Sequence, residues 1–314
     1  MSLKVIFLGT AGSIPTPKRS LPAIAVVRKG ELILFDCGEG VQRQMLKAGL
    51  GFNKKMKVFI SHMHGDHVLG LPGLMQTMSL LHRSRKLELF GPSDLRDFVE
   101  ITGEVLRSPP TFPLEITEVG DDGLVCEEKE YSVFSAPAEH LTPSFSYSLV
   151  EKQRYGKFHP DKAEALGIPE GVLWSRLQQG LTVKLQNGRV ISPETVVGPL
   201  RLGRKIVYTG DTKHSVTLVE LAKNADILIH ECTFDNEFEE RANEDGHSTP
   251  KQAAISAAKA NVKRLILTHI SARYKTPELL LTQARKTFAN VDVAEDFMEI
   301  QLPLHRVKQR VPEA

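Results

Sequence analysis

The sequence predicts an α/β fold in which two packed β-sheets lie between outer layers of helices, an αββα sandwich. In each half of the chain, short apolar runs come first and segments with helical spacing of apolar residues surround them. Two sheets packed face to face still have outer faces to bury, and helices can cover those faces. With 314 residues, 41% of them apolar, the chain has ample material for one such core.

The first half is predicted to contain strands at 4–8, 23–27, 31–35 and 58–61. Lys29-Gly30, between the second and third of these strands, is a hairpin signal. Helical spacing predicts helices through 41–44, after Leu74 and over 95–106. The segment 114–150 is rich in β-branched and aromatic residues, which favours strand over most of its length.

The pattern changes after Gly203. Predicted strands at 205–208, 227–230 and 265–268 alternate with predicted helices near 216–224, 250–260 and 277–287. A last strand over about 291–302 is expected to close the unit. We therefore expect a single domain over 1–304, followed by a basic tail at 305–314.

One segment, 152–189, does not fit the core. It carries seven basic residues against three acidic ones, together with several glycines and prolines. Tyr155, Phe158 and the only tryptophan, Trp174, lie in the same segment. Positive charge with interspersed aromatic residues suits contact with a nucleic-acid backbone, although a solvated basic loop has the same composition. We expect a flexible arm that is inserted into the domain.

Net charge and cysteine content indicate the cellular compartment of the protein more clearly than they indicate its binding partners. The formal net charge of +2 says little, so the distribution of charge matters more. The three cysteines are too few and too scattered for a disulfide framework, which favours a reducing cytoplasm. No apolar stretch is long enough to cross a membrane, and no membrane partner is expected.

The strongest signal in the chain is the segment 62–67, which reads His-Met-His-Gly-Asp-His. Imidazoles and a carboxylate at this density suit a divalent transition metal such as zinc. Further donors stand at the ends of predicted strands: His140, Asp211 and His269. Alone, each would be interpreted as a structural residue, but together with the segment 62–67 they predict a metal site. Two ions need about seven or eight ligand bonds in all, and the additional donors help to supply them.

These motifs, with Phe-Leu-Gly-Thr at 7–10, resemble the metallo-β-lactamase superfamily and, within it, the tRNase Z (ribonuclease Z) family. The resemblance runs to about Leu302 and so covers nearly the whole chain. It implies two zinc ions per subunit. One would be held by His62, His64 and His140, the other by Asp66, His67 and His269, with Asp211 bridging the two ions. Asp36 matches the family's first motif, and its expected role is to orient a ligand histidine.

The same resemblance implies the reaction, which is cleavage of precursor tRNA just after the discriminator nucleotide. The products would be a tRNA 3′-hydroxyl and a trailer 5′-phosphate. Asp66 would ligate metal and accept the nucleophile's proton, and His247 would protonate the leaving oxygen. Glu231 would be the carboxylate partner that orients His247 and raises its pKa.

Expected RNA contacts lie in three places. Thr249 suits a helix N-cap, and the helix end at Ser248 and Thr249 would favour a phosphate. Arg273 could bind an RNA phosphate or base. Lys18 and Arg19 lie in a loop where many family members have Pro-x-Lys-x-Arg-Asn, which disfavours tRNA that ends in CCA. Here the lysine is one place later and Ser20 replaces asparagine, which predicts weaker discrimination.

The position of the arm between His140 and Asp211 matches the family's flexible arm, which binds the tRNA elbow. Short family members work as homodimers, so a homodimer and a precursor tRNA are the expected partners. Two alternatives stay open. A small-molecule hydrolase or phosphodiesterase of the same fold would have no need for the arm. A non-catalytic RNA-binding subunit would have no need for seven convergent metal donors.

Overall fold

The computed structural model describes residues 3–305 and divides the chain into two compact units. The first is made of Met1–Val150 and Lys205–Pro303, and the second contains Glu151–Arg204. Of the predicted basic tail at 305–314, all but His305 lies outside the described residues. Among the described helices, none combines the length and the hydropathy that a membrane span requires.

The strands of the described residues are β1 (Leu3–Gly9), β2 (Ala11–Gly12), β3 (Ala23–Arg28), β4 (Glu31–Phe35), β5 (Met56–Phe59), β6 (Leu87–Gly91), β7 (Leu114–Glu118), β8 (Gly123–Glu127), β9 (Tyr131–Pro137), β10 (Phe145–Glu151), β11 (Val183–Lys184), β12 (Val190–Ile191), β13 (Lys205–Tyr208), β14 (Ile227–Glu231), β15 (Leu265–Thr268), β16 (Ile270–Ser271), β17 (Val291–Val293) and β18 (Glu299–Leu302). The helices are α1 (Val41–Lys47), α2 (Gly65–Val68), α3 (Gly70–Leu80), α4 (Asp94–Val105), α5 (Pro160–Ala165), α6 (Val172–Gln178), α7 (Val216–Ala222), α8 (Glu239–Glu244), α9 (Pro250–Lys259) and α10 (Glu278–Arg285).

The first unit is built on two seven-stranded sheets. Their strand orders are β18-β1-β3-β4-β5-β6-β7 and β17-β15-β14-β13-β10-β9-β8. Successive side chains of β1 point to opposite faces of the first sheet and so show how the layers form. Val5 and Phe7 pack with side chains of the second sheet in one apolar cluster. Ile6 and Leu8 point the other way, into a cluster with α1 and α3. A third cluster joins α9 and α10 to the outer face of the second sheet. The predicted αββα fold class is therefore confirmed.

Parallel pairing brings several strand ends to one edge of each sheet. In the first sheet β4 pairs in parallel with β5, and in the second sheet β13, β14 and β15 pair in parallel. The residues that follow these strands are Asp36, the segment 62–67, Asp211 and His269, while Glu231 ends β14. Because the carboxyl ends of parallel strands meet at one sheet edge, polar residues that are distant in sequence can converge there.

The structure differs from the prediction at the end of the unit. The segment 291–302 is not one strand but two, since β17 belongs to the second sheet and β18 pairs with β1 in the first. The chain crosses between the sheets at 294–298, where Phe297 has φ 68° and its N–H donates to the carbonyl of Phe7. A strand pattern of apolar residues cannot reveal such a crossing, because both pieces have the same local period.

The second unit is a small body with a core of its own. Antiparallel contacts Arg154–Arg201 and Phe158–Val197 form a ribbon, and α5, α6, β11 and β12 follow within it. Ile168, Leu177 and Val196 are buried together, with Trp174 packed against them. At its base the buried Arg204 guanidinium donates to both carboxylate oxygens of Glu151, at 2.7 and 2.8 Å. The unit extends beyond the predicted end at 189, and the two helices in it were not predicted.

Candidate metal centre

Asp36 organises the base of the site. It follows β4 in the left-handed conformation, with φ 57°, and is fully buried. Its carboxylate accepts hydrogen bonds from the N–H and hydroxyl of Ser61 and from the hydroxyl of Tyr208. It also lies 2.6 Å from Nδ1 of His67. With the proton on Nδ1, the Nε2 lone pair of His67 is directed away from Asp36, as a metal ligand requires.

One group of donor atoms contains His62, His64, His140 and Asp211, all within 4.8 Å of one another. Nδ1 of His140 donates to the carbonyl of Gly246 at 2.8 Å, so its Nε2 is free of a proton. That Nε2 lies 3.3 Å from Nδ1 of His64. Burial lowers the pKa of His62 to about 2, which leaves its imidazole neutral and able to donate a lone pair.

A second group contains Asp66, His67 and His269, and Asp211 lies against it as well. Nε2 of His67 and Nε2 of His269 are 3.3 Å apart. Each lies 3.3 or 3.4 Å from an oxygen of Asp66 and from an oxygen of Asp211. Tetrahedral ligands at about 2.0–2.1 Å from a zinc ion are about 3.3–3.4 Å apart, so the spacing fits a divalent cation.

Two atoms of the donor groups make no hydrogen bond within the described residues. They are Nε2 of His62 and Oδ1 of Asp211, and both are buried. A buried polar atom without a partner costs about 1–3 kcal/mol, which a coordinated cation would offset. Nε2 of His67 and Nε2 of His269 also face each other, which would suit two nitrogen lone pairs directed at one cation. The donor set therefore fits bound metal.

Glu231 connects the metal site to His247. Its carboxylate is buried and accepts hydrogen bonds from the backbone N–H groups of Thr212, Thr233 and Ser248. It lies 2.9 Å from Nδ1 of His247. Burial alone would lower the pKa of His247, but the charge and hydrogen bond of Glu231 raise it to about 9. Burial would raise the pKa of Glu231, and the His247 charge lowers it below its ordinary value.

His247 also lies near donor atoms of the metal groups, since Asp211, His247 and His269 form a third set within 4.8 Å. The nearest oxygen of Asp211 is 3.8 Å from Nδ1 of His247, longer than the 3.3 Å that separates His269 from the same oxygen. That nitrogen already contacts Glu231. The geometry therefore favours a residue beside the metal ligands rather than one of them.

The predicted phosphate contacts at Ser248 and Thr249 are not supported. Both residues are fully buried. The Ser248 hydroxyl donates to the carbonyl of Thr212, and its N–H donates to Glu231. Thr249 forms the predicted capping box with Gln252, in which its N–H donates to the side-chain oxygen of Gln252 and its hydroxyl oxygen accepts from the N–H of Gln252. Because these groups are buried and bonded within the protein, the two residues position the helix and are not available to RNA.

The structure does not support the predicted RNA contact of Arg19 in the loop 15–20. The Arg19 guanidinium donates to the hydroxyl of Thr10 and to the carbonyl of Ala294, so it is directed into the protein. Both residues line a cavity of about 680 Å³ together with Tyr274 and Lys275, but Lys18 is exposed whereas Arg19 is half-buried. Of the two predicted cations, Lys18 is therefore the more accessible to a ligand.

Sequence reasoning missed Thr233 as part of the site. Its hydroxyl lies 2.9 Å from Glu231, 3.3 Å from Nδ1 of His247 and 2.8 Å from Nδ1 of His269. It thereby links the Glu231–His247 pair to a metal-donor histidine. Its position two residues after Glu231 was the available signal, but a threonine at a strand end is too common to single out.

Comparisons with known proteins first define the class. Two family models match, one described as "Beta-lactamase superfamily domain" over residues 178–270 and one described as "Anti-Pycsar protein Apyc1" over residues 3–102. The metallo-β-lactamase fold protein YhfI from Bacillus subtilis superposes with a TM-score of 0.68 at 17% identity, covering 96% of this chain and 100% of that one. The chain thus has the metallo-β-lactamase fold, and its donor clusters suit a bound metal.

Closer relatives define the family. Ribonuclease Z from Methanosarcina acetivorans is 44% identical, over 96% of this chain and 98% of the relative. The crystal structure of the human tRNase Z short form has a TM-score of 0.72 at 32% identity, covering 96% of this chain and 99% of that one. The chain belongs to the ribonuclease Z family, which confirms the resemblance found in the sequence.

Proposed function

We propose that this protein is a zinc-dependent endoribonuclease that removes 3′ trailers from precursor tRNA. The observation that carries the proposal is the pair of donor groups that share Asp211, next to the Glu231–His247 pair. A phosphodiester resists attack because it is an anion, and two cations held close together overcome that repulsion. The family membership at 44% identity over almost the full chain supports tRNA as the substrate.

In this proposal one zinc site uses His62, His64 and His140, and the other uses Asp66, His67 and His269. Asp211 contributes to both. Bound there, the two cations would polarise the phosphoryl oxygens and make a water acidic enough to react at neutral pH. An oxygen of Asp66 accepts a hydrogen bond from the N–H of Ser13, which holds the carboxylate in place to accept the proton of the attacking water.

The leaving oxygen is the O3′ of the discriminator nucleotide, and it needs a proton as the bond breaks. Nδ1 of His247 is bound to Glu231, so Nε2 is the atom that delivers the proton. The trailer keeps the phosphate at its 5′ end, and the tRNA keeps a 3′-hydroxyl. Atoms balance with one water consumed for each bond cleaved.

The proposal is tested with purified protein and a 3′-extended precursor tRNA. We expect a cut immediately after the discriminator, with product ends that carry a 3′-hydroxyl and a 5′-phosphate. Chelation should stop the reaction and added zinc should restore it. Bis(4-nitrophenyl) phosphate serves as the comparison substrate. Hydrolysis of that diester by zinc-loaded protein that leaves the precursor intact would contradict the proposal and favour a small-molecule phosphodiesterase.

We also propose that the protein is a cytoplasmic homodimer in which the second unit binds tRNA. All three cysteines are free thiols, as expected in a reducing compartment. The net excess of basic residues in 152–189 supports contact with the RNA backbone. Light scattering on the purified protein tests the dimer, since a single mass of about twice 34.9 kDa is expected.

Removal of the second unit should separate tRNA binding from chemistry. Glu151 and Arg204 are paired neighbours, because the N–H of Glu151 donates to the carbonyl of Arg204. Residues 152–203 can therefore be replaced by Asn-Gly, a two-residue hairpin turn. We expect KM for precursor tRNA to rise by at least about tenfold through lost phosphate contacts, with hydrolysis of bis(4-nitrophenyl) phosphate retained.

A triple substitution tests the second unit without removing it. Lys157, Lys162 and Lys184 are exposed in this unit. Changing all three to glutamine should reduce the slope of log K for tRNA binding against log salt concentration by about 2–3. The matched control changes three exposed lysines of the first unit, Lys129, Lys223 and Lys286. Equal effects of the two triple variants would show that the second unit has no special role.

Discrimination against CCA should be weaker than the family loop would give. The N–H of Ser20 donates to Asp296, and its short side chain lacks the two amide N–H donors of asparagine. Matched precursors with and without an encoded CCA should be cleaved by the wild type at rates that differ little, and Ser20→Asn should widen the difference. Strong rejection of CCA by the wild type, unchanged in Ser20→Asn, would contradict this interpretation.

A further inference from the structure

The hydroxyl of Thr233 lies between a metal-donor histidine and the carboxylate that holds His247. Its oxygen is 2.8 Å from Nδ1 of His269 and 2.9 Å from Oε2 of Glu231. Thr233 is 6% exposed, so both contacts are made away from solvent. A hydroxyl has a single proton to donate, although its oxygen can also accept. It can therefore donate to only one of these two neighbours at a time.

His269 fixes the direction of both bonds once its Nε2 binds a cation. A neutral imidazole that gives Nε2 to a metal carries its proton on Nδ1. That N–H donates to the oxygen of Thr233, which is its hydrogen-bond partner among the described residues. The hydroxyl proton of Thr233 is then directed to Glu231, whose carboxylate can only accept.

The directions can reverse when no cation is bound to His269. Its Nε2 can then carry the proton and donate to an oxygen of Asp66 or Asp211, each 3.3 Å away. Nδ1 becomes an acceptor, and the hydroxyl of Thr233 can donate to it instead of to Glu231. The hydroxyl thus has two orientations, and a bound cation selects the one that serves the carboxylate.

That orientation helps to fix the carboxylate of Glu231. Oε2 accepts the hydroxyl and also the backbone N–H of Thr233, the latter at 3.0 Å. Oε1 lies 2.9 Å from Nδ1 of His247. A carboxylate that is bonded at both oxygens cannot turn freely, so the ring of His247 keeps its Nε2 directed for proton transfer.

We propose that Thr233 is a positioning residue that couples occupancy of the zinc site containing His269 to the orientation of the proton donor His247. This inference rests on the proposed tRNA 3′-processing function. Coupling between two sites is reciprocal. Removal of the hydroxyl should therefore loosen zinc at that site and also weaken protonation of the leaving oxygen.

Two substitutions separate the hydroxyl from the shape of the side chain. Thr233→Val keeps the shape and the backbone N–H but removes the hydroxyl, whereas Thr233→Ser keeps the hydroxyl and removes only a methyl group. Thr77→Val is the matched control, because Thr77 lies on α3 and donates its hydroxyl to the carbonyl of Gly73. Thermal unfolding of each variant checks that the protein is folded.

Zinc affinity is measured without RNA, by competition with a chelator. Thr233→Val should bind one of the two zinc ions about 10–100-fold more weakly, as expected when a residue that orients a ligand histidine is lost. The other ion should be bound as in the wild type. Thr233→Ser and Thr77→Val should bind both ions with the affinity of the wild type.

Kinetics at excess zinc isolate the effect on His247. With both sites refilled, Thr233→Val should still have a kcat for precursor tRNA lower by about tenfold, because one hydrogen bond to a charged group is missing. Its kcat for bis(4-nitrophenyl) phosphate should be close to that of the wild type, since nitrophenolate needs no proton. Thr233→Ser should restore cleavage of the precursor.

Unchanged zinc affinity in Thr233→Val would overturn the coupling. Equal losses on the two substrates at excess zinc would overturn the connection to His247. Thr233→Ser that behaves like Thr233→Val would assign the effect to packing and not to the hydroxyl. Failure of the wild type to cleave the precursor would contradict the proposed function instead, and the zinc titrations distinguish that result because they contain no RNA.

Discussion

His64→Ala is expected to reduce precursor cleavage by more than about 100-fold while leaving the protein folded. His64 lies in the loop between β5 and α2, half-buried, and its Nδ1 faces the Nε2 of His140. Loss of residues that only support a metal ligand costs about 10–100-fold, so loss of a ligand should cost more. Bound zinc should fall in parallel, as measured by elemental analysis of the same sample.

The control for this substitution is His82→Asn. His82 is exposed, with φ 53°, a backbone conformation that asparagine tolerates. It should keep full activity and full metal content, which excludes a general effect of histidine removal. Near-normal turnover of His64→Ala with its full complement of zinc would remove His64 from the ligand set.

His247→Ala should reduce kcat for precursor tRNA by about 100- to 10,000-fold, the range for loss of a general acid. Zinc content should be unchanged, because His247 lies beside the ligands and its Nδ1 is committed to Glu231. The loss should nearly disappear with bis(4-nitrophenyl) phosphate. Nitrophenolate leaves as a stable anion and needs no proton, whereas the ribose O3′ does.

Glu231→Gln tests the same pair from the other side. Glutamine keeps the size of the buried side chain but removes the charge that accepts three backbone N–H bonds and raises the pKa of His247. Glu231→Gln should reduce kcat for precursor tRNA less than His247→Ala does. The reduction should again nearly disappear with bis(4-nitrophenyl) phosphate. An equal loss on both substrates, or loss of zinc in His247→Ala, would make His247 a ligand rather than the proton donor.

The fold class and most donors of the site could be predicted because their signals are local. Three histidines and an aspartate within 62–67 are visible without any tertiary information. Asp211 and His269 follow apolar runs that are recognisable as buried strands, and parallel pairing then brings strand ends together. Asp36 follows the same logic, as the residue after β4.

The remaining features depend on contacts that no local pattern contains. The sequence suits Arg19 for RNA contact, yet its guanidinium is used by Thr10 and Ala294, the latter distant in sequence. Ser248 and Thr249 suit a phosphate site until Glu231 and Gln252 are seen to occupy their N–H groups.

The central proposal is that Asp211 would contribute to both of two metal sites, and anomalous scattering from crystals of the zinc-loaded protein tests it most directly. Data collected on either side of the zinc absorption edge should give two peaks per chain, about 3.5–4 Å apart. One peak should lie among His62, His64 and His140, and the other among Asp66, His67 and His269. A single peak at full zinc occupancy, or two peaks of which neither contacts Asp211, would contradict the account.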